Sequence, residues 1–225
     1  MTADFENELN SIRDRYARRG AVSARERRFY RRIQMERERA YLRLLHGHFG
    51  KSCEQLHVLE VGAGTGANLP FFHDKMGIPW ENIVANELLD DRADLLRANV
   101  PGVRVISGNA LCIPQAETFD VVLASTVFTS ILDQQMRHAL ASHLLSIASS
   151  RGVVLWYDFM YDNPWNKDVR GVPLSELRRL FQGASSIKTV TITLAPPVGR
   201  RIGPLYSMLS WIPILHTHVV AVVKK

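Results

Sequence analysis

The chain has 225 residues, 46% hydrophobic and 22% charged, with a formal net charge of +6, which gives room for one domain with a full core, is short for two, and does not have the composition of a disordered chain. No run approaches the roughly 18 uninterrupted apolar residues of a membrane span. Cys53 and Cys112 are too few for a disulfide framework and lack metal-ligand partners at short spacing, and the acidic start MTADFENELN is unlike a secretory signal, so a cytoplasmic setting without a metal is expected.

The first predicted elements are helices over 5–18 and 23–47, the second carrying Phe29, Ile33, Met35, Ala40, Leu42 and Leu45 at a roughly helical period before Gly47 and Gly50 stop it. Both are dense in arginine and glutamate (RDRYARR, ARERRFYRR, MERERAYLR). Such a run is either a solvated face laced by pairs at three- and four-residue spacing or a basic face for an acidic partner. Arg178, Arg179, Arg200 and Arg201 form a later cluster of the same sign.

Five apolar runs follow, at 57–61, 82–87, 103–108, 119–125 and 152–159, with helical patterns from Gly66 to Lys75, Asp90 to Asn99 and Asp133 to Ala148 between them. Strands apolar on both faces and separated by helices indicate a parallel sheet covered on both sides. SELRRLF (175–181) reads as one more helix, and TVTITL (189–194) and HVVAVV (218–223) as closing strands. The expected organisation is a helical extension over 1–50 and one α/β domain over 51–225. The segment APPVGRRIGPLYSMLSWIPILHT, rich in proline and large apolar residues, either packs as a short helix on the sheet edge, lies on a membrane surface, or closes over a substrate.

VLEVGAGTGANL (58–69) runs from a strand into Gly62, Gly64 and Gly66 and then a helix, a loop that brings backbone amides close to a nucleotide. GAGTGA also satisfies the dinucleotide pattern if Ala67 replaces the third glycine. Two acids narrow the choice. Glu60, two residues before the first glycine, would repel a pyrophosphate and suits a ligand with ammonium and sulfonium groups. Glu87, about 20 residues past the loop, stands where a ribose hydroxyl pair is held.

These words, with ANEL, GNAL and FDVVLAST, resemble class I S-adenosylmethionine-dependent methyltransferases. The resemblance implies a doubly wound, Rossmann-like α/β fold whose seven-stranded sheet has the order 3-2-1-4-5-7-6, with the last strand antiparallel. It implies S-adenosylmethionine as cofactor and S-adenosylhomocysteine as product. Carried over by residue, Gly62, Ala63, Gly64 and Gly66 form the loop at the methionine and adenosine parts, Glu60 anchors the amino end, and Glu87 with Leu88 takes the ribose. Asn109, Ala110 and Leu111 meet the adenine, many relatives having Asp where Asn109 stands. Ser125 and Thr126 lie beside the transferable methyl, and Tyr16 either folds over the cofactor or lies on a helix surface. STVFTSILD, LWYDF, NPWNKDVRGV and TLAPPVGRR resemble a bacterial subgroup associated with surface polysaccharide or other glycan biosynthesis.

A hydroxyl acceptor needs its proton removed, so a base is sought near the ends of strands four and five. Asp158 is the first candidate, with a structural acid holding the NPWN turn as its alternative. Tyr157 and Asn163 are candidates to orient the acceptor, and Arg170 to bind an anionic group on it. His73 reads as packed or surface rather than catalytic. His216 and His218 share a strand face but have no third ligand for a metal. The expected activity is O-methylation of a glycan or small hydroxylated acceptor. The alternatives are an NAD-type oxidoreductase and a non-catalytic nucleotide- or RNA-binding protein of the same fold.

Overall fold

In the computed structural model, residues 3–18, 24–164, 166–199 and 205–225 are described. Their elements in chain order are α1 (Ala3–Ala17), α2 (Ala24–Phe49), β1 (Val58–Val61), α3 (Leu69–Met76), β2 (Ile83–Glu87), α4 (Asp90–Asn99), β3 (Arg104–Ser107), β4 (Phe119–Ser125), α5 (Gln134–Ile147), β5 (Ala148–Phe159), α6 (Leu174–Leu180), β6 (Ser186–Leu194), α7 (Pro196–Gly199), α8 (Leu205–Leu209) and β7 (His216–Lys224). The seven strands form one sheet in the order β3-β2-β1-β4-β5-β7-β6. β7 runs antiparallel to both β5 and β6, and the other pairings are parallel.

Strand alternation sorts the core into two layers. Leu59, Val122, Val154, Trp156 and Ala221 face α5 and α6, where Met136, Leu140, Leu144 and Leu177 meet them. Val58, Val121, Leu123, Leu155 and Val222 face the other way, onto Tyr41 and Leu45 of α2 and Leu69 and Phe72 of α3. Both N-terminal helices belong to this core: Leu9 and Ile12 of α1 join the first layer, and Ala40, Tyr41 and Leu45 of α2 the second. Each of the two helices thus packs residues against one face of the sheet, while Phe29 and Ile33 of α2 pack with Leu194 and Tyr206.

Helix ends follow local chemistry. Asp133 caps α5, accepting the Met136 amide at 2.6 Å, and Gly77 ends α3 in the left-handed conformation. The helix expected from Gly66 begins at Leu69 instead. Gly62, Gly64 and Gly66 all have positive φ (65°, 61° and 87°), so residues 62–68 wind as turns before a helix can start.

Between α5 and α6, Arg137 and Glu176 form a fully buried ion pair at 2.6 Å. The guanidinium also donates to the Ile131 carbonyl at 2.7 Å and the Arg170 carbonyl at 3.1 Å, so it fastens the segments after β4 and β5 together. Replacing Arg137 with Met strands a buried carboxylate, and urea unfolding should show a loss of about 3–5 kcal/mol. A variant as stable as the parent would contradict this role.

Candidate active site

The C-terminal ends of β1, β2 and β4 surround a cavity of about 390 Å³, and α1 lies across it. That volume lies within the range of small-molecule sites. Its floor is the glycine turn. Gly62 must be glycine for two reasons: its φ is +65°, and an added Cβ would sit 2.9 Å from a methyl of Val127. The Ala63 amide donates to the Asn86 carbonyl at 2.9 Å, while the Asn86 side chain donates to the carbonyls of Ile106 and Gly108. The turn is thus tied to β2 and β3.

Glu87 completes that tie. One carboxylate oxygen accepts the Gly64 amide at 2.6 Å and the other accepts the Leu89 amide at 3.0 Å. A loop amide that would face a pyrophosphate is occupied by a negative group of the protein itself. Phosphate there would meet a carboxylate at close range.

Glu60 is wholly buried one layer behind the cavity wall. Its Oε1 accepts from the Asn68 amide at 2.5 Å, and its Oε2 has no hydrogen-bond partner among the described residues. The Asn68 carbonyl oxygen in turn accepts from Arg37. Burial pushes the Glu60 carboxyl up to about 7, against the opposing pull of Asn68 and Arg37. Arg37 itself lines the cavity, with its guanidinium 5.1 Å from the Tyr157 ring centre and 3.5 Å from the Ser125 hydroxyl. Its Nε is buried and has no partner among the described residues.

Sequence reasoning missed Arg37, although a signal existed. Phe29, Ile33, Arg37, Tyr41 and Leu45 recur every four residues, and Arg37 is the charged member of an otherwise apolar stripe. The abundance of solvated arginines around it hid the exception.

Of the residues that the resemblance assigns to the cofactor, Leu88, Asn109, Ala110, Ser125 and Thr126 line this cavity. Gly66 and Leu111 stand behind the wall. Asn109 turns its side-chain oxygen toward the Leu111 amide at 3.0 Å, capping the short turn at 110–112. Thr126 has φ 57°, rare for a residue with a branched Cβ. The strained backbone is held by its amide on the Tyr157 carbonyl and its hydroxyl on the Ser125 carbonyl, both at 2.7 Å.

Tyr16 lies over the cavity rather than on an outer surface. With Leu9 and Ile12 it forms the cover, its hydroxyl 3.1 Å from the Ser130 hydroxyl and its ring 4.5 Å beneath the Arg92 guanidinium. Arg15 donates to the Ser130 carbonyl at 2.8 Å, and Glu8 accepts the Leu132 amide at 2.7 Å.

The proposed base is seated elsewhere. Asp158 is fully buried and does not line the cavity. Its oxygens accept from the amides of Phe128 (3.1 Å) and Thr129 (3.4 Å) and from the Thr129 hydroxyl. Burial raises its carboxyl to about 7, and those donors pull the other way. The cause of its placement is the strand period: Trp156 and Asp158 face the α5 layer, whereas Tyr157 faces α2. The structural alternative, an acid holding a turn, fits this geometry, but the turn is 128–130 and not NPWN. Tyr157 is also buried, stacked on His218 with centres 5.4 Å apart. Asn163 and Arg170 are exposed in the segment after β5, outside the cavity wall. His73 is packed, its ring 4.3 Å from that of Trp80. His216 is held between the Ser210 carbonyl and the Thr191 hydroxyl. Arg200 and Arg201 lie outside the described residues.

Residues 58–152 match a family described as a methyltransferase domain. A protein named uncharacterized methyltransferase from Alkaliphilus oremlandii is 27% identical over 105 residues, which is 47% of this chain and 46% of that protein. The chain therefore spans less than half the length of that curated relative. Among solved structures, magnesium protoporphyrin IX methyltransferase from Synechocystis, crystallised with bound SAH, superposes with a TM-score of 0.62 at 10% identity, covering 99% of this chain and 95% of that one. A SAM-dependent methyltransferase from Archaeoglobus fulgidus gives 0.59 at 16% identity, covering 83% and 92%. The fold is the methyltransferase fold.

The elevated Glu60 carboxyl has a defined consequence for stability. A group protonated more readily in the folded chain destabilises it as pH rises from the unfolded value near 4.5 to about 7, and adds no further slope above that. The Glu60→Gln variant should gain stability relative to the parent across that window, as read from urea midpoints. A difference between the two that does not vary with pH would refute the shift.

Proposed function

We propose that this chain is an S-adenosylmethionine-dependent methyltransferase that binds its cofactor in the cavity beneath α1 and methylates an oxygen of a glycan or other small hydroxylated acceptor. The observation that carries the cofactor reading is the pairing of Gly64 with Glu87, which places a carboxylate where a dinucleotide would need a free amide. The cavity instead offers groups that fit a phosphate-free nucleoside joined to an amino acid. Glu87 has remaining lone pairs for ribose hydroxyls, and Leu88, Asn109 and Ala110 form the wall for adenine. The unpartnered Nε of Arg37 suits a carboxylate, and the unpartnered oxygen of Glu60 supplies negative potential for an ammonium group.

When bound, S-adenosylmethionine supplies an activated methyl on a sulfonium that leaves without help from an acid. What the chain contributes is alignment and exclusion of water. Ser125, Thr126 and Ser130 form the wall at the end of β4, and Leu9 and Ile12 present an apolar cover above it. Asp158 serves this arrangement indirectly by fixing the 128–130 turn that carries Ser130. The acceptor reading rests on the resemblance of LWYDF, NPWNKDVRGV and TLAPPVGRR to glycan-associated relatives. It is supported by Asn163 and Arg170, which are exposed polar groups beyond the cavity.

Calorimetry with the full chain should detect binding of S-adenosylhomocysteine and none of NAD. Arg37→Leu should weaken that binding about tenfold or more, the range of a hydrogen bond to a charged group, whereas Asp158→Asn should leave it unchanged. Binding of NAD without S-adenosylhomocysteine would establish the oxidoreductase reading. Cofactor binding with no methyl transfer to any hydroxylated glycan pool would overturn the acceptor half alone.

A further inference from the structure

The segment between β6 and β7 is anchored on one side and bare on the other. Tyr206 of α8 is buried, its ring 6.1 Å from that of Phe29 and its hydroxyl donating to Glu36 at 2.9 Å. These contacts fix α8 on α2. On the outer side, Met208 is 63% exposed, Trp211 86% and Ile214 88%, with Ile212 and Leu215 exposed beside them. Large side chains left in water as one contiguous stretch mark an interaction surface.

The neighbouring face of α2 is basic. Arg32, Arg39 and Arg43 are exposed and recur at seven and four residues, which aligns them along the helix. Arg32 lies over the Tyr206 ring at 4.8 Å, while Arg39, Arg43, Ser210 and Trp211 share the lining of a second cavity of about 410 Å³ with Glu36, the one acid there, which accepts from the Tyr206 hydroxyl. Among the described residues neither Arg39 nor Arg43 forms an ion pair. The guanidinium row therefore borders the apolar stretch directly.

We infer that this face docks on an anionic lipid bilayer, with Trp211, Ile214 and Met208 entering the boundary between headgroups and acyl chains and the arginines facing lipid phosphates. Indole and guanidinium groups are suited to that boundary, having an apolar or weakly hydrated body and a polar function at one end. Aliphatic burial and cationic attraction together give the two signals that stable peripheral attachment needs. The charge pattern selects this occupant over others. A twofold contact between copies would bring the Arg39–Arg43 rows toward each other, like against like. A nucleic acid would satisfy the arginines but leaves Ile214 and Met208 in water. No described helix is long and apolar enough to cross a membrane, so the attachment lies on the surface.

The test is sedimentation of the full chain with vesicles of phosphatidylglycerol and phosphatidylcholine in equal parts. The protein should pellet with these vesicles, remain free with phosphatidylcholine alone, and be released by salt. The double variant Trp211→Ser/Ile214→Ser and the double variant Arg39→Glu/Arg43→Glu should each lower partitioning about tenfold or more. Acyl-chain-brominated lipids should quench the parent's fluorescence, and Trp211→Phe should lose that quenching, a readout that does not depend on the stability of the double variants. Absence of co-sedimentation, or equal partitioning by parent and variants, overturns the inference. So does a concentration-dependent dimer in sedimentation velocity that the Trp211→Ser/Ile214→Ser change abolishes.

Discussion

Burying a carboxylate under the glycine turn is the constraint around which the site is arranged. Glu60 lies within a strand that is closed to water on both faces, and an ion there is costly unless other groups answer it. The answer comes through a chain of side chains, Arg37 to Asn68 to Glu60, contributed by α2, the α3 cap and β1. Arg37 also reaches Ser125 at the end of β4 and lies over Tyr157 of β5. One guanidinium thereby connects the N-terminal helix pair to three adjacent strands. Two atoms of this network have no hydrogen-bond partner among the described residues, the Arg37 Nε and the Glu60 Oε2.

Much of the fold is legible in the chain because its determinants are local. Each apolar run of five to eight residues lies in a strand, and Asp90–Asn99 is a helix with those bounds, since hydrophobic period acts within a few residues. Sheet order came from family resemblance, as nothing in the strand runs themselves says which neighbours pair. Glu87 could be placed because its distance past the glycine loop is set by one strand-helix-strand unit. Arg37 could not, because the contact that distinguishes it from Arg39 or Arg43 lies across the fold. Asp158 shows the opposite failure. Its position at a strand end was read correctly, while the face it points to depends on the register of β5 against β4 and on the turn after Ser125. A one-residue difference in strand phase separates a cavity group from a core group.

Asp158 and Arg137 show how the segments beyond the sheet are stiffened. The first holds 128–130 by three donors; the second holds 131 and 170 by carbonyls while paired to Glu176. Both are charged groups in full burial on the α5 side of the sheet, and each spends its hydrogen-bonding capacity on loop backbone. Segments that emerge from parallel strands have no ladder to pair with, and here buried side chains supply the missing partners. The turn that carries Ser130 is held for that reason, whereas the left-handed backbone at Thr126 is held by the Tyr157 and Ser125 carbonyls.

The cover provided by α1 has a consequence for how the chain is assembled. Arg15 meets Ser130, 115 residues later, and Glu8 meets Leu132 across 124 residues. During synthesis the first helix leaves the ribosome long before the turn it latches onto exists. It has to wait, with Leu9 and Ile12 uncovered, until β4 is made and ordered. Closing so long a loop costs entropy that is repaid only when the sheet is already in place. A helix that precedes the whole sheet in the chain is therefore among the last elements to be fitted, and the cavity acquires its cover only after its floor and walls are complete.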